Sequence, residues 1–308
     1  MAERLGLWPG DEWWPSRYGP EDELGAANEL TPDRLLRALQ IPRRGVKYNL
    51  ALTIGNRLPL QSMHGPIVHY TYRTHEQGAD FLQRVPGGNA NESGCFTDRA
   101  ELPLQAGTHI DALNHVSIGD RMYNGFPATQ SRQSAGTERL GIDRCPPIVT
   151  RGVLLDVAAV QGVVVLDSGY VVTPADLEAA SARQGLTEPG PGDAVLLHTG
   201  WLKAQFHRGR EYLLTEPGIG MAAATWLTDR RVALVGADNF AVEVIPTELP
   251  GLPMPVHQHF LVQHGTFLME HVVVDDLVRD RVFEFLFVAV PLRVAGGSGS
   301  AITPVAIA

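Results

Sequence analysis

Three residues that could bind a metal ion lie within seven positions of the sequence: His109, Asp111 and His115. If residues 109–111 form a strand, His109 and Asp111 project from the same face, because side chains alternate between the two faces of a strand. Both could then bind one cation, and His115 would return towards it across the bend that follows. Imidazole and carboxylate donors suit zinc or manganese, and an incomplete set of protein ligands leaves room for a water nucleophile. The spacing therefore predicts a metal site suited to hydrolysis.

Segment 105–115 resembles the signature of the metal-dependent cyclase family, which includes bacterial kynurenine formamidases and isatin hydrolase. The signature reads His-x-Gly-Thr-His-x-Asp-x-x-x-His, and the residues that match it are Gly107, Thr108, His109, Asp111 and His115. Gln105 stands where the signature begins with His, and a longer branch of the family also carries Gln there, followed by a Tyr-Asn-Gly like that at 123–125. Because a neutral amide is a poorer zinc ligand than imidazole, we expect one metal ion per chain rather than two, with Gln105 as a weak or water-mediated ligand.

The resemblance also draws attention to His257 and Glu270, which match a late His of the family and a Glu about a dozen residues after it. Without the resemblance, each is expected to be an ordinary polar surface residue. With it, they either bind a second metal together with Asp111 and His115, or transfer protons around a single metal. The loss of imidazole at position 105 favours proton transfer. Three further imidazoles of the same segment are expected to lie outside the metal shell: His259, His264 and His271.

Aromatic residues near the N-terminus offer flat apolar surfaces with a hydrogen-bonding edge, which suit a planar aromatic substrate. Trp14 is the candidate substrate contact among them, although packing in the core or between subunits explains these residues equally well. Two further candidates come from the resemblance. Tyr123 begins the Tyr-Asn-Gly segment, and Thr199 ends a glycine-led strand that in the family reaches the substrate pocket.

The composition is that of a globular protein, with 44% hydrophobic and 19% charged residues in 308. The net charge is −9 and no basic run is present, so nucleic acid is not expected as a partner. Charged residues interrupt positions 1–20, and no apolar run approaches the roughly 20 residues that span a bilayer, so we expect a cytoplasmic protein without membrane contact. Two cysteines do not support a disulfide framework. The expected organisation is a single domain over 1–308, with 1–45 as an N-terminal extension.

The elements that must position these residues are short strands and a few helices. A Thr-Pro pair at 31–32 and another at 173–174 predict helix starts, since Thr can cap a helix and Pro fits its first position. Apolar runs predict strands at 48–53, 153–157, 163–166, 194–197, 232–235 and 283–290, and a helix over 217–227. The glycine-rich segment 296–300 predicts a tight loop before a last strand rather than a phosphate-binding loop, which would need a following Lys.

This pattern favours a mixed α/β fold. The resemblance implies the family's swivelling β/β/α fold, with a barrel-like central mixed sheet and flanking helices. It also implies a homodimer or homotetramer.

The predicted function is hydrolysis of an amide, lactam or ester-like carbonyl of a small molecule by metal-activated water, with an aromatic molecule among the candidate substrates. A cation held by His109 and Asp111 lowers the pKa of water towards about 7, and His115 or His257 accepts and returns a proton. Glu270 orients an imidazole or completes the metal shell. Two alternatives remain open: a metal-dependent cyclase or dehydratase of a polyketide-like intermediate, and a binding protein that has kept the fold without turnover.

Overall fold

The computed structural model describes residues 13–59, 64–130 and 136–308. Its strands are β1 Lys47–Asn49, β2 Val68–Arg73, β3 Thr97–Glu101, β4 His109–Asp111, β5 Ile148–Asp156, β6 Val171–Val172, β7 Ala194–His198, β8 Gly218–Ile219, β9 Leu234–Ala237, β10 Phe267–Glu270, β11 Glu284–Ala289, β12 Gly299–Ala301 and β13 Val305–Ile307. Its α-helices are α1 Pro32–Ala38, α2 His75–Gln83, α3 Val157–Val160, α4 Pro174–Gln184, α5 Trp201–Gln205, α6 Met221–Asp229, α7 Pro255–His257 and α8 Asp275–Arg279. Short 3-10 helices lie at Gly25–Glu29, Tyr123–Gly125, Ala128–Gln130, Ile142–Arg144 and Phe206–Leu213, and a π-helix at Gln258–His264.

Nine strands form one curled, mixed sheet in the order β1-β13-β11-β5-β7-β9-β10-β4-β12. The strands β5, β7, β9 and β10 are parallel to one another in the middle, and the outer neighbours pair antiparallel. Every residue of β7, β9 and β10 is buried, as expected of central strands covered on both faces. Helices α1 and α4 pack against β5, and α6 packs against α4. This architecture confirms the mixed α/β fold and the barrel-like sheet expected from the sequence.

Strand β4 carries the metal-binding signature and lies between β10 and β12, antiparallel to both. Its register places Glu270 of β10 directly opposite His109, and Gly299 of β12 directly opposite Asp111. A Cβ atom at position 299 would lie 2.8 Å from both the Gln105 amide nitrogen and the Ile110 carbonyl oxygen. The glycine therefore allows β12 to approach β4 closely at the metal-binding residues.

Both predicted helix starts are confirmed. Thr31 caps α1 by accepting a hydrogen bond from the backbone of Arg34. Thr173 and Asp176 form a reciprocal capping box at the start of α4. The strands predicted at 48–53, 153–157, 194–197, 232–235 and 283–290 exist, with bounds shifted or shortened to those given above.

Two element predictions are wrong. Residues 163–166 form turns and an extended segment instead of a strand, and Val164 is 88% exposed, so its apolar character does not report burial in the sheet. The helix predicted over 217–227 begins only at Met221, because Gly218–Ile219 pairs with Val171–Val172 as a small parallel ribbon. In neither place does the periodicity of apolar residues distinguish an exposed turn or a short ribbon between distant segments from a buried strand or helix.

Residues 13–30 of the expected N-terminal extension pack onto the rest of the chain. The backbone N–H of Ser16 donates to the Asn124 side chain, and that of Ala26 donates to the Gly265 carbonyl. Residues 1–12 of that extension lie outside the described residues. No helix in the described ranges combines the length and apolar character needed to cross a membrane.

Candidate metal centre

The centre of the candidate site is the side-by-side pairing of β4 and β10. Since His109 and Glu270 are directly opposite residues of an antiparallel pair, their side chains lie on the same face and approach closely. The His109 Nε2 atom lies 3.2 Å from a Glu270 carboxylate oxygen and 3.6 Å from Asp111 Oδ1. The other ring nitrogen, Nδ1, lies 2.9 Å from the Gly107 carbonyl oxygen, which can only accept, so Nδ1 carries the proton and Nε2 faces the site.

The Gly-Thr pair before His109 holds β4 in place. Gly107 has a φ of +62°, in the left-handed region that favours glycine. The Thr108 hydroxyl accepts a hydrogen bond from the Leu52 backbone and donates one to the His271 carbonyl, at 2.9 and 2.6 Å. The signature strand is thereby tied both to the segment after β1 and to the end of β10.

Asp111 is fully buried, and neither of its carboxylate oxygens has a hydrogen-bond partner among the described residues. Imidazole nitrogens of His109, His115 and His257 surround it at 3.6 to 3.8 Å, longer than hydrogen bonds. A buried carboxylate left in this way is costly unless a cation satisfies it. Carboxylate oxygens and imidazole nitrogens are zinc and manganese donors, so the residues present fit a divalent cation.

His257 ends the short helix α7 and enters the site from the opposite side. Its Nδ1 atom donates to the buried carboxylate of Glu243, and its Nε2 atom lies 3.2 Å from Glu270 and 3.8 Å from Asp111. A carboxylate that holds the outer nitrogen of an imidazole is the usual support of a metal-binding histidine. Ligand atoms of Asp111, His257 and Glu270 all lie within 4.8 Å of one another.

The charges in this cluster shift the pKa values of its members. Burial by itself lowers the pKa of His109, but the adjacent Glu270 carboxylate and Asp111 outweigh it and raise the pKa to about 9. Burial opposes protonation of His257 as well, yet its contacts with Glu243 and Glu270 raise its pKa. The two imidazoles in turn lower the pKa of Glu270 against the effect of its burial. The Glu270 carboxylate is therefore charged and attracts either protons or a cation onto the neighbouring nitrogens.

Comparison with known proteins identifies the family. A family model described as "Putative cyclase" matches residues 48–244, which include β4 and the signature. The chain belongs to this cyclase family. A solved structure of a novel cyclase is 31% identical, with a TM-score of 0.83, and the match covers 95% of this chain and 96% of that one. No curated protein matches the chain.

Two more distant structures share the cyclase fold. Isatin hydrolase A from Ralstonia solanacearum is 20% identical, with a TM-score of 0.60 and coverage of 90% of this chain and 97% of that one. A predicted metal-dependent hydrolase from Bacillus stearothermophilus is 18% identical, with a TM-score of 0.53 and coverage of 85% and 97%. At these identities the likeness establishes the fold.

The cyclase-family residues predicted from the sequence are brought together by this fold. His109, Asp111, His115, His257 and Glu270 form one cluster at a cavity of about 390 Å³. Gln105 also lines the cavity, with its amide nitrogen 3.1 Å from the Ser298 hydroxyl and 3.5 Å from His115 Nδ1. The cavity's apolar wall consists of Val116, Phe240, Ala241, Val244, Ile245, Pro253 and Met254. In the described part of the chain, neither Lys nor Arg lines it.

The three candidate substrate residues lie elsewhere in this chain. The Trp14 ring packs on Gly125. The Tyr123 hydroxyl donates to Asp22, and Tyr123 lines a separate cavity of about 440 Å³. Thr199 is fully buried and both its backbone N–H and its hydroxyl donate to Asp238. None of the three lines the cavity at the metal-binding cluster, so their substrate contacts stay predictions.

Three residues of the site were missed by the sequence prediction. Glu243, which orients His257, is a single carboxylate between valines in an apolar run, and that pattern is itself a signal. His64 lines the cavity, where burial lowers its pKa, and only its place before a Gly-Pro pair marks it. His271 was expected outside the metal shell, yet it is buried and lies within ligand distance of His109 and Glu270. The other two imidazoles of its segment, His259 and His264, stack on each other instead, with ring centroids 4.3 Å apart.

Proposed function

We propose that the chain is a metal-dependent hydrolase that cleaves an amide, lactam or ester-like carbonyl of a small, uncharged molecule. The observation that carries the proposal is the buried Asp111 carboxylate, whose two oxygens face three imidazoles and have no hydrogen-bond partner among the described residues. Family membership and the metal-dependent hydrolase and isatin hydrolase among the structures of like fold support it.

The proposed metal ligands are Asp111, His257 and Glu270, and the Nε2 atom of His109 lies beside them, 3.2 Å from Glu270. This assignment differs from the one favoured by sequence alone, in which His257 and Glu270 transferred protons. Support comes from Glu243, which fixes the His257 ring so that Nε2 faces the carboxylates. Zinc and manganese both suit these donors. A divalent cation held by these residues would polarise a carbonyl and lower the pKa of water.

His115 is the proposed general base and acid. Of the imidazoles around Asp111 it is the most exposed, with 19% of its side chain accessible, and it lines the cavity. From this position its imidazole can take a proton from water and return it to the leaving group. Gln105 lies 3.5 Å from His115 Nδ1 and orients that ring instead of competing for the cation.

The cavity wall points to the kind of substrate. Phe240, Val244, Ile245 and Met254 provide an apolar surface opposite the charged cluster. A substrate carrying its own carboxylate would find no Lys or Arg among the described residues that line the cavity. A volume of about 390 Å³ is at the small end of ligand pockets, which typically measure roughly 300–1,000 Å³. We therefore propose a neutral substrate with one apolar or aromatic group next to its carbonyl.

The test uses the zinc- or manganese-loaded protein with a formanilide, an isatin-type lactam and a phenyl ester. Hydrolysis in water enriched in heavy oxygen must place the label in the product acid. Asp111→Ala is expected to abolish both metal binding and turnover, whereas Asp120→Ala, at an exposed aspartate, leaves both unchanged. Products formed with loss of water and no label would favour a cyclase or dehydratase. Tight metal and ligand binding without turnover would favour a binding protein.

A further inference from the structure

His271 is a buried imidazole held rigidly at the edge of the metal-binding cluster. It follows Glu270 at the end of β10 and has a φ of +53°, which turns the chain out of the strand. Its backbone N–H donates to the Asn239 carbonyl, and its own carbonyl accepts from the Thr108 hydroxyl. These contacts fix the backbone of His271 beside the cluster.

Neither ring nitrogen of His271 has a hydrogen-bond partner among the described residues. The Gly107 carbonyl, which accepts from His109 Nδ1 at 2.9 Å, also lies near the His271 ring, but it does not meet hydrogen-bond geometry with either of the two ring nitrogens. Aromatic rings surround the rest of the imidazole, with the centroids of Phe206, Tyr212 and Phe240 at 5.7 to 6.4 Å. Buried polar atoms are almost always paired, so two unpaired nitrogens on one buried ring require an explanation.

A bound metal ion would explain the two unpaired nitrogens, because His271 lies beside other side chains that can bind a metal. Ligand atoms of His271, His109 and Glu270 all lie within 4.8 Å of one another. Glu270 also belongs to the group with Asp111 and His257, since one of its oxygens faces His109 and the other faces His257, each at 3.2 Å. The carboxylate thus joins two adjacent groups of donors.

The signature of the family has a histidine where this chain has Gln105, and the Gln105 amide is engaged with Ser298 and His115. We propose that His271 is a metal ligand, which forms a cation position with His109 and Glu270 and supplies the imidazole that Gln105 does not. The proposal rests on the proposed function only in requiring that the site binds a divalent cation.

Zinc-soaked crystals of the unmodified protein test this directly. Anomalous diffraction at the zinc edge is expected to place an ion about 2.1 Å from a ring nitrogen of His271, with His109 and Glu270 as its other ligands. Zinc bound at Asp111 and His257, with none at His271, overturns the inference and leaves the proposed function standing. The absence of zinc from the whole cluster overturns both.

Variants add a measurement in solution. His271→Asn is expected to weaken zinc binding at least tenfold in a chelator competition and to lower the number of imidazoles per zinc seen by X-ray absorption. The matched control is His264→Asn, which removes a mostly buried imidazole stacked on His259 and away from the donors. Adding Gln105→His to His271→Asn is expected to restore part of the affinity. A folded His271→Asn protein with unchanged zinc affinity and imidazole count overturns the inference.

Discussion

The Nδ1 atom of His257 donates a hydrogen bond to the carboxylate of Glu243, and both side chains are buried. Because both Glu243 oxygens accept hydrogen bonds, Nδ1 carries the proton and Nε2 is left to face Asp111 and Glu270. The same carboxylate accepts the backbone N–H groups of Val256 and His257, each at 3.2 Å, so it also fixes the start of α7. One residue that the sequence prediction missed therefore sets the direction of a metal-facing imidazole.

Replacing Glu243 by Gln is expected to weaken metal binding 10- to 100-fold, the usual effect of losing such a supporting carboxylate. The amide oxygen can still accept from the backbone of α7, so the fold is retained. Competition with a chromophoric chelator measures the affinity. Glu178→Gln serves as control, since it alters a carboxylate that binds the Trp226 indole N–H on α6. Equal affinities for Glu243→Gln and the unmodified protein would contradict the orienting role.

Asp111→Asn is expected to remove the stabilisation that metal provides without unfolding the protein. A ligand at 100 times its dissociation constant stabilises the native state by about 2.7 kcal/mol, and this gain requires the carboxylate. In the presence of a chelator, the variant is expected to be somewhat less stable than the unmodified protein, because it loses the attraction between Asp111 and the protonated His109 ring. Thermal unfolding with and without added zinc measures both effects. A variant that still gains stability from zinc would show that Asp111 is not a ligand.

Metal affinity is expected to rise with pH between 6.5 and 9. The carboxylate of Glu270 holds the pKa of His109 at about 9 despite its burial, and a cation must displace that proton to bind Nε2. The stability of the metal-free protein is expected to follow the opposite trend and to fall as the pH rises. Since the folded pKa lies above the unfolded value of 6.5, this histidine stabilises the fold fully below pH 6.5, and the stabilisation is lost as the pH rises through 9. Titration calorimetry and urea unfolding at several pH values measure the two trends, and a flat affinity profile would count against His109 as a ligand.

A second pH dependence is expected at His259, whose ring contacts Thr228 and His264. Burial lowers its pKa to about 3, aided by the neighbouring His264 ring, and its Nε2 atom lies 2.9 Å from the Thr228 hydroxyl. Because the folded pKa lies below the unfolded value, stability is complete above pH 6.5 and is lost as the pH falls. At pH 5 the loss amounts to about 2 kcal/mol from this residue.

His259→Gln is expected to reduce the loss of stability at acid pH. The amide can still form a hydrogen bond with Thr228, and it takes up no proton on unfolding. The measurement is the free energy of unfolding in urea at pH 7 and pH 5. The control is His207→Gln, at an exposed histidine, which should follow the unmodified protein. If His259→Gln and the unmodified protein lose the same free energy of unfolding between pH 7 and pH 5, His259 is not the source of the acid sensitivity.

Part of the site could be predicted from the sequence because it depends on residues that are close together along the chain. The alternation of side chains along β4 places His109 and Asp111 on one face, and the caps at Thr31 and Thr173 act within a few residues of themselves. The mixed α/β class likewise follows from the lengths and order of apolar runs. The two wrong elements, at 163–166 and 217–220, lie where short apolar stretches meet glycines and where a two-residue ribbon forms between distant segments.

The amino-acid sequence by itself determined that a histidine and an aspartate two positions apart would face the same way if their segment formed a strand. Only the tertiary structure decided which residues join them. Glu270 meets His109 through the register of β4 with β10, across more than 150 residues of chain, and His257 is aimed by Glu243. His271 was placed outside the metal shell by sequence and inside the cluster by the fold. The reason is that the register between strands and the burial of polar atoms depend on the packing of the whole sheet, which local periodicity does not encode.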